Sequence, residues 1–442
     1  MLPSLRQIVG RILTGQPGRD ALRLGARLIG ARAMSVVTLF VAAWLVDIEA
    51  FAEFGVYQTL AALAWVALFL RYEAAILAAY TEEEAGEAMR LCVAVGAFLW
   101  LAFTCASLAA GGAGFMRMEF ALLLPLSILA RGMLRLASAA ANRDGDFKGM
   151  GRASLVQSVV QPTVLLALVL SPVEDALSFA VADVVGHASG VAYLGYRHRH
   201  RFGALRRGWS RKALVALAQQ RRDLPLYNLP SSFFSVAFVM SPLLIMPVAA
   251  DASFAGHVAL AYRIFDVPTQ IITAASTPIF LSRLRPSKEG GSALFGRHIM
   301  LGLTIVVGLA YALMAGLLIS ADPWLVGTEL DGLAEAVPMV TLFQLFVALG
   351  APLNDSCALY PQQKRLVLIQ GVALVGSALL LALAGRVSPE CVLLWLSAVS
   401  AMRTLALGEL LHRLSRLSRR AFRKTSSGAH VAPHEGVDMY SG

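Results

Sequence analysis

The sequence predicts an all-α integral membrane protein with about twelve transmembrane helices, arranged as two six-helix lobes around a central cavity. Three observations carry this. Hydrophobic residues make up 57% of the 442 and charged ones only 15%, against about 25% charged in soluble domains, so a soluble fold would lack polar surface. The apolar runs are about twenty residues long and apolar all round, enough to cross about 30 Å of hydrocarbon; barrel strands would need alternating segments of about ten. The net charge of +10 is unevenly spread. Residues 197–223, RHRHRFGALRRGWSRKALVALAQQRRD, hold roughly a quarter of the basic side chains and separate two apolar halves.

In chain order, residues 1–20 read as a cytoplasmic amphipathic segment. Leu5, Ile8, Val9, Ile12 and Leu13 recur at helical spacing, and Arg6, Arg11 and Arg19 supply charge. No small-residue cleavage site follows the first apolar run, so no removed signal peptide is expected. An N-lobe over 21–196 then takes six spans, near 21–46, 54–79, 91–110, 120–141, 153–170 and 176–196. The basic connector 197–223 follows. A C-lobe over 224–412 takes six more, near 224–248, 255–281, 298–319, 337–360, 366–384 and 391–412, and 413–442 forms a cytoplasmic tail.

With the N-terminus inside, about 28 Lys/Arg fall on cytoplasmic segments and about two, Arg117 and Arg386, on the other side. This predicts a multi-pass protein with both termini and the connector in the cytoplasm. An even number of spans per half sends both halves into the membrane in the same direction, as in repeats related by an axis along the membrane normal. Faint internal similarity agrees: Phe54-Gly55-Val56-Tyr57 matches Ala255-Gly256-His257-Val258, and Lys148 then Gln157 matches Lys364 then Gln370.

Ionisable side chains at membrane depth cost several kcal/mol and mark cavities or partners. The basic ones are Arg23, Arg27, Arg32, Arg71, Arg131, Arg135, Arg263 and Arg403; the acidic ones are Glu73, Asp183, Asp266, Asp355 and Glu409, with His187 and His257 beside them. Arg23, Arg135 and Glu409 can snorkel to the cytoplasmic face. Arg263 and Asp266, three apart, can pair along one helix. Arg131 and Arg135, four apart on one face, repel each other and call for an anion from elsewhere. Arg32 lies near the middle of its span. Arginine outnumbers carboxylate and is suited to bidentate contacts with phosphate, so an anionic substrate is expected.

Enzyme signatures are not found: no phosphate-binding G-x-x-x-x-G-K-[ST] loop, no H-E-x-x-H, no G-x-S-x-G. Cys92, Cys105, Cys357 and Cys391 lie in or beside apolar runs and read as small hydrophobes. His198 and His200 make a poor metal site, and residues 197–201 fit better against lipid headgroups. No metal, cofactor or nucleic-acid partner is expected.

Four stretches carry a family resemblance. They are Phe54-Gly55-Val56-Tyr57 leading to Leu70-Arg71-Tyr72-Glu73-Ala74-Ala75-Ile76; Phe147-Lys148 followed by Val156-Gln157-Ser158; Tyr227-Asn228-Leu229-Pro230-Ser231; and Gly256, Ala261-Tyr262-Arg263 and Pro268 followed by Pro278-Ile279-Phe280. In order and spacing the sequence resembles the Wzx-type polysaccharide translocases of the multidrug/oligosaccharidyl-lipid/polysaccharide (MOP) exporter superfamily. The resemblance spans roughly residues 46–281. Asp144-Gly145-Asp146 departs from it, placing acid where a basic turn is expected.

The resemblance implies a MOP/MATE-like fold in a bacterial inner membrane. The implied activity is flipping undecaprenyl-pyrophosphate-linked oligosaccharide from the inner to the outer leaflet for cell-surface polysaccharide export. Arg32, Arg71, Arg131, Arg263 and Arg403 are the candidate cavity arginines, and Glu73, Asp183 and Asp266 the candidates for ion or proton coupling or charge balance. Partners would be the lipid-linked oligosaccharide, membrane lipids and polysaccharide polymerase or export machinery. An organic-cation antiporter of the MATE branch is the competing reading; it calls for a carboxylate-rich lumen. A non-transporting scaffold is the third.

Overall fold

Every described element is helical. The computed structural model describes residues 37–171, 175–205, 208–284, 293–357, 363–383 and 386–428, with only the backbone course described at 204, 271–301, 303 and 415–428. The amphipathic segment, Arg23, Arg27, Arg32 and the end of the tail therefore lie outside the described residues. After the end of α1 (37–45) come α2 (Glu49–Ala67), α3 (Glu73–Ala78), α4 (Glu82–Gly112), α5 (Met118–Arg143), α6 (Phe147–Val169) and α7 (Asp175–Arg197). Two short helices, α8 (Arg199–Ala204) and α9 (Arg211–Gln220), form the connector. Then follow a π-turn at Leu224–Asn228, α10 (Leu229–Val239), α11 (Ser241–Ala249), α12 (Ala252–Leu284), α13 (Ala293–Leu325), α14 (Leu333–Cys357), α15 (Gln363–Leu383) and α16 (Pro389–Gly428).

Among the described residues nine helices are long and apolar enough to cross a membrane, and the pair α10–α11, bent by 44°, makes a tenth. The chain is a multi-pass membrane protein. Helix α6 packs on α7, α7 on α5 and α5 on α4; in the second half α12 packs on α14, and α14 on α16. The halves meet chiefly where α2 crosses α12, with α10 and α11 also against α2.

Local chemistry explains several elements. Pro125 inside α5 cannot donate to the carbonyl of Ala121, and the Ser107 hydroxyl on α4 donates to that oxygen at 2.8 Å. Thr81 caps α4 by accepting from the Glu84 amide at 3.1 Å, and the Glu84 carboxylate accepts from the Tyr80 amide at 2.9 Å. Phe51 and Phe54 of α2 set their rings 4.8 and 5.3 Å from Phe179 of α7, and Tyr57 lies 5.5 Å from Phe120 of α5. These rings fasten α2 to its own half.

Two expectations are corrected. The second span, expected unbroken over 54–79, stops at Ala67 and resumes at Glu73, because Leu70 and Arg71 take φ of 49° and 66°. Left-handed backbone at consecutive non-glycine residues costs about 1–2 kcal/mol each and persists only where surrounding contacts enforce it. The seventh span, expected as one run over 224–248, begins in a π-turn and bends at Met240–Ser241, ahead of Pro242.

The connector was expected to set its arginines against headgroups. Instead Arg197 pairs with Asp146, Arg201 with Asp144 and Glu82, and Arg221 with Glu84 at 3.0 Å. The acidic turn at Asp144–Asp146 is thus the receptor for the connector. The histidines have partners too: His198 Nδ1 lies 3.1 Å from Asp144 and Nε2 3.2 Å from Asp146. Asp144, His198 and His200 bring ligand-type atoms within 4.8 Å of one another, but Arg201 already holds Asp144, so the cluster reads as an ion-pair network. Arg143 closes its far side, donating to the carbonyls of Ile76 at 3.0 Å and Ala79 at 2.7 Å, where α3 ends.

The hydrogen bond from Arg197, reinforced by the Gly149 amide against the opposing effect of burial, pulls the Asp146 carboxyl down to about 2. Arg201 lowers that of Asp144 in the same way. Carboxyls depressed on folding add stability that is fully present above their unfolded value of about 4 and vanishes as pH falls toward 2. The thermal midpoint of the purified protein should therefore drop between pH 5 and pH 3. The drop should be smaller in Asp146→Asn, which starts lower at pH 7; identical pH profiles for the two proteins would refute the assignment.

Candidate functional site

At the junction of the halves lies a cavity of about 300 Å³, lined from α1, α2, α5, α6 and α7 on one side and α12 on the other. It holds Arg131, Arg263, Asp183, Asp266 and His187, together with Gln58, Gln157, Gln161 and Gln270. Arg131 reaches Asp183 Oδ1 at 2.7 Å and donates through Nε to the Ser127 hydroxyl at 3.1 Å; that hydroxyl donates to Asp183 Oδ2 at 2.9 Å. His187 Nδ1 stands 3.4 Å from Asp183 Oδ1. Asp183 is only 2% exposed, and such a carboxylate is tolerated in the interior only because each oxygen is satisfied.

Arg263 is held differently. Its guanidinium lies over the Phe54 ring, 4.0 Å from the centroid, and 5.4 Å from that of Phe179. It donates to Gln58 Oε1 at 2.9 Å. Among the described residues this cation crosses from one half to the other and is held by an amide and aromatic faces, with no carboxylate in salt-bridge contact. Asp266, one turn on, accepts from Gln270 Nε2. Arg263's hydrogen bond thus crosses the junction, while that of Asp266 with Gln270 stays on its own helix.

Among the described residues, the predicted Arg71, Arg403 and Glu73 do not line this cavity. Arg71 sits at the α2–α3 break, donating to Asn228 of the opposite half at 2.8 Å and approaching Glu73 at 3.4 Å. Arg135, expected to snorkel, instead binds Glu73 Oε1 at 2.7 Å and stacks 5.0 Å over Trp65. The two repelling arginines of α5 thus each receive their own carboxylate, Arg131 from α7 and Arg135 from α3. Glu73 Oε2 remains buried without a hydrogen bond among the described residues. Arg403, 4% exposed, lies inside the second half, donating to Gln370 at 2.6 Å and Ser235 at 2.8 Å beside Phe238. Arg32 lies outside the described residues.

The four glutamines and Ser127 were not predicted as site residues. Gln157 enters the sequence reading only as part of an internal repeat and of the Val156-Gln157-Ser158 stretch. An uncharged amide in an apolar run is too cheap to bury to signal a cavity on its own.

Together these features describe a helical membrane fold in two halves with a polar cavity at the seam, and solved transporters and a flippase share that fold. The lipid II flippase MurJ, in an inward closed conformation, superposes with a TM-score of 0.64 at 12% identity, over 94% of each chain. A multidrug resistance MATE family transporter in an outward-facing conformation gives 0.59 at 15% identity, over 94% of this chain and 98% of that one. A MOP superfamily transporter from Pyrococcus furiosus, described as having a binding pocket of reverse polarity, gives 0.60 at 12% identity, over 93% and 98%. At these identities the likeness is one of fold. No protein-family model matches the sequence, and no curated protein matches it either.

Proposed function

We propose that the protein is a flippase for a polyprenyl-diphosphate-linked oligosaccharide, carrying the head group from the cytoplasmic to the outer leaflet of a bacterial inner membrane by alternating access. Arg263 carries this reading. It is a cation at the lobe junction whose neutral partners leave its charge available to an incoming anion, and guanidinium is suited to diphosphate oxygens. Arg131 shares the cavity, paired there with Asp183, and Asp183 and Asp266 are the candidates for ion or proton coupling. The polyprenyl tail stays in lipid while the head group crosses, so the lobes must part laterally. Arg71 and Arg403 then serve as lobe-internal or lobe-bridging supports. Polymerase and export machinery are the expected partners downstream.

The second reading is an organic-cation antiporter. Asp183 and Asp266 in the same cavity and the MATE-type fold favour it.

The two readings part on ligand charge. In nanodiscs, a polyprenyl diphosphate bearing a short oligosaccharide should raise the melting temperature, and a monovalent organic cation should not. Arg263→Gln should weaken the lipid by about 10- to 100-fold, the worth of one charge-assisted hydrogen-bonding group. Stabilisation by the cation alone, insensitive to Arg263→Gln, would establish the antiporter.

A further inference from the structure

The cavity contains more amide than a diphosphate or an organic cation can use. A diphosphate only accepts hydrogen bonds, so arginines and amide N–H groups suffice and each amide oxygen facing it is repelled. A tertiary or quaternary ammonium wants carboxylates and aromatic faces. Carboxamides pair best with groups that donate and accept together, as sugar hydroxyls and acetamido groups do. Gln58 and Gln270 are already engaged, by Arg263 and Asp266. Gln157 and Gln161, four apart on α6, line the cavity half-buried on one helix face.

The opposing helix makes room for Gln161 at Gly186, while Gly190 is closest to Leu134, at 3.1 Å, and only in ordinary contact with Gln157. On α7, a Cβ at Gly186 would stand 2.6 Å from Gln161 Cβ and 3.2 Å from its Oε1, and one at Gly190 would stand 3.9 Å from Gln157 Oε1. The two glycines are one turn apart, as are the two glutamines. Any larger residue at Gly186 would push the Gln161 amide out of place.

Resting on the flippase reading above, we propose that Gln157 and Gln161 form a saccharide-reading subsite for the sugar unit next to the diphosphate, and that this unit is uncharged and rich in hydroxyl or acetamido groups. The charges in the cavity support a neutral sugar. Arg131 is matched by Asp183, and Asp266 stands at the same wall, so an acidic sugar would bring a second anion into a space with one available cation. Arg263 holds the diphosphate and the α6 amides read what is attached to it.

The test compares two probes on the full-length protein in nanodiscs: a bare polyprenyl diphosphate, and the same lipid carrying one N-acetylhexosamine. The readout is the ratio of their dissociation constants. The parent protein should prefer the sugar-bearing lipid by roughly tenfold or more, and Gln157→Leu/Gln161→Leu should bring the ratio close to one. Gln157→Ala, a smaller change, should move it in the same direction, which guards against misfolding of the double variant. A parent protein that binds both lipids equally, or variants that keep the full preference, would overturn the subsite. Failure of the parent to bind either lipid would instead overturn the flippase reading on which it rests.

Discussion

Asp183→Ala is expected to remove most folded protein, and Arg131→Ala to do nearly the same, whereas the double variant Arg131→Leu/Asp183→Leu restores folding without restoring transport. The pair is buried, at 2.7 Å, with Ser127 bridging it. Removing either partner strands a charge in a low-dielectric interior and costs about 3–5 kcal/mol, while replacing both by apolar groups is often neutral or better. Against a total stability of about 5–15 kcal/mol, the single changes approach unfolding. Through its contact with Asp183, Arg131 serves structure as well as cavity. Yield of monodisperse protein and its melting temperature decide the matter. An Asp183→Ala protein as stable as the parent would mean that the ion pair contributes nothing to folding.

This pair also marks where sequence reading succeeds and stops. Long apolar runs and the placement of Lys and Arg make the helical membrane fold legible, because burial of backbone polar groups in lipid permits few alternatives. A charge in such a run announces a site for the same reason. The partner, however, depends on helix rotation and crossing. Asp183 sits fifty-two residues from Arg131, and Glu73 serves Arg135 across sixty-two; periodicity within one helix cannot set either distance. The break at Leu70–Arg71 carries no glycine or proline signal, so it stayed hidden. The acidic turn at Asp144–Asp146 was visible as an anomaly, but its meaning came only with Arg197 and Arg201 against it.

A different part of the repeat gives the second large effect. Gly256 of α12 and Gly55 of α2 occupy matching places in the two halves, and both lie in the contact between the halves. A Cβ at Gly256 would come within 2.2 Å of the Ile48 carbonyl oxygen and 2.8 Å of its carbon, where an ordinary contact begins at 3.4 Å. That carbonyl cannot swing aside cheaply, since it accepts from the Phe51 amide at 3.1 Å as α2 begins. Small residues at helix crossings in membranes allow such backbone approach, and here no side chain larger than hydrogen fits. Gly55 is looser, its nearest neighbours at 3.4 Å and 3.6 Å being side-chain atoms of Leu243 and Ala259.

Gly256→Val should therefore wedge the two halves apart at the end remote from the connector, while Gly55→Ala is tolerated. Spin labels at Glu49→Cys and Ser253→Cys, both exposed positions, in a chain with its four native cysteines replaced, report the spacing directly. In Gly256→Val the distance distribution should lengthen and broaden and transport should fall at least tenfold, with both halves still helical by circular dichroism. In Gly55→Ala both readouts should match the parent. If Gly256→Val matched the parent in distance and in transport, the close crossing of α2 and α12 would not be the contact that holds the two halves together here. Arg263 lies two turns further along the same helix, its guanidinium over Phe54 and its N–H on Gln58. An anion that draws it from these partners loosens the crossing from inside, so cavity occupancy and separation of the two halves act on one helix pair.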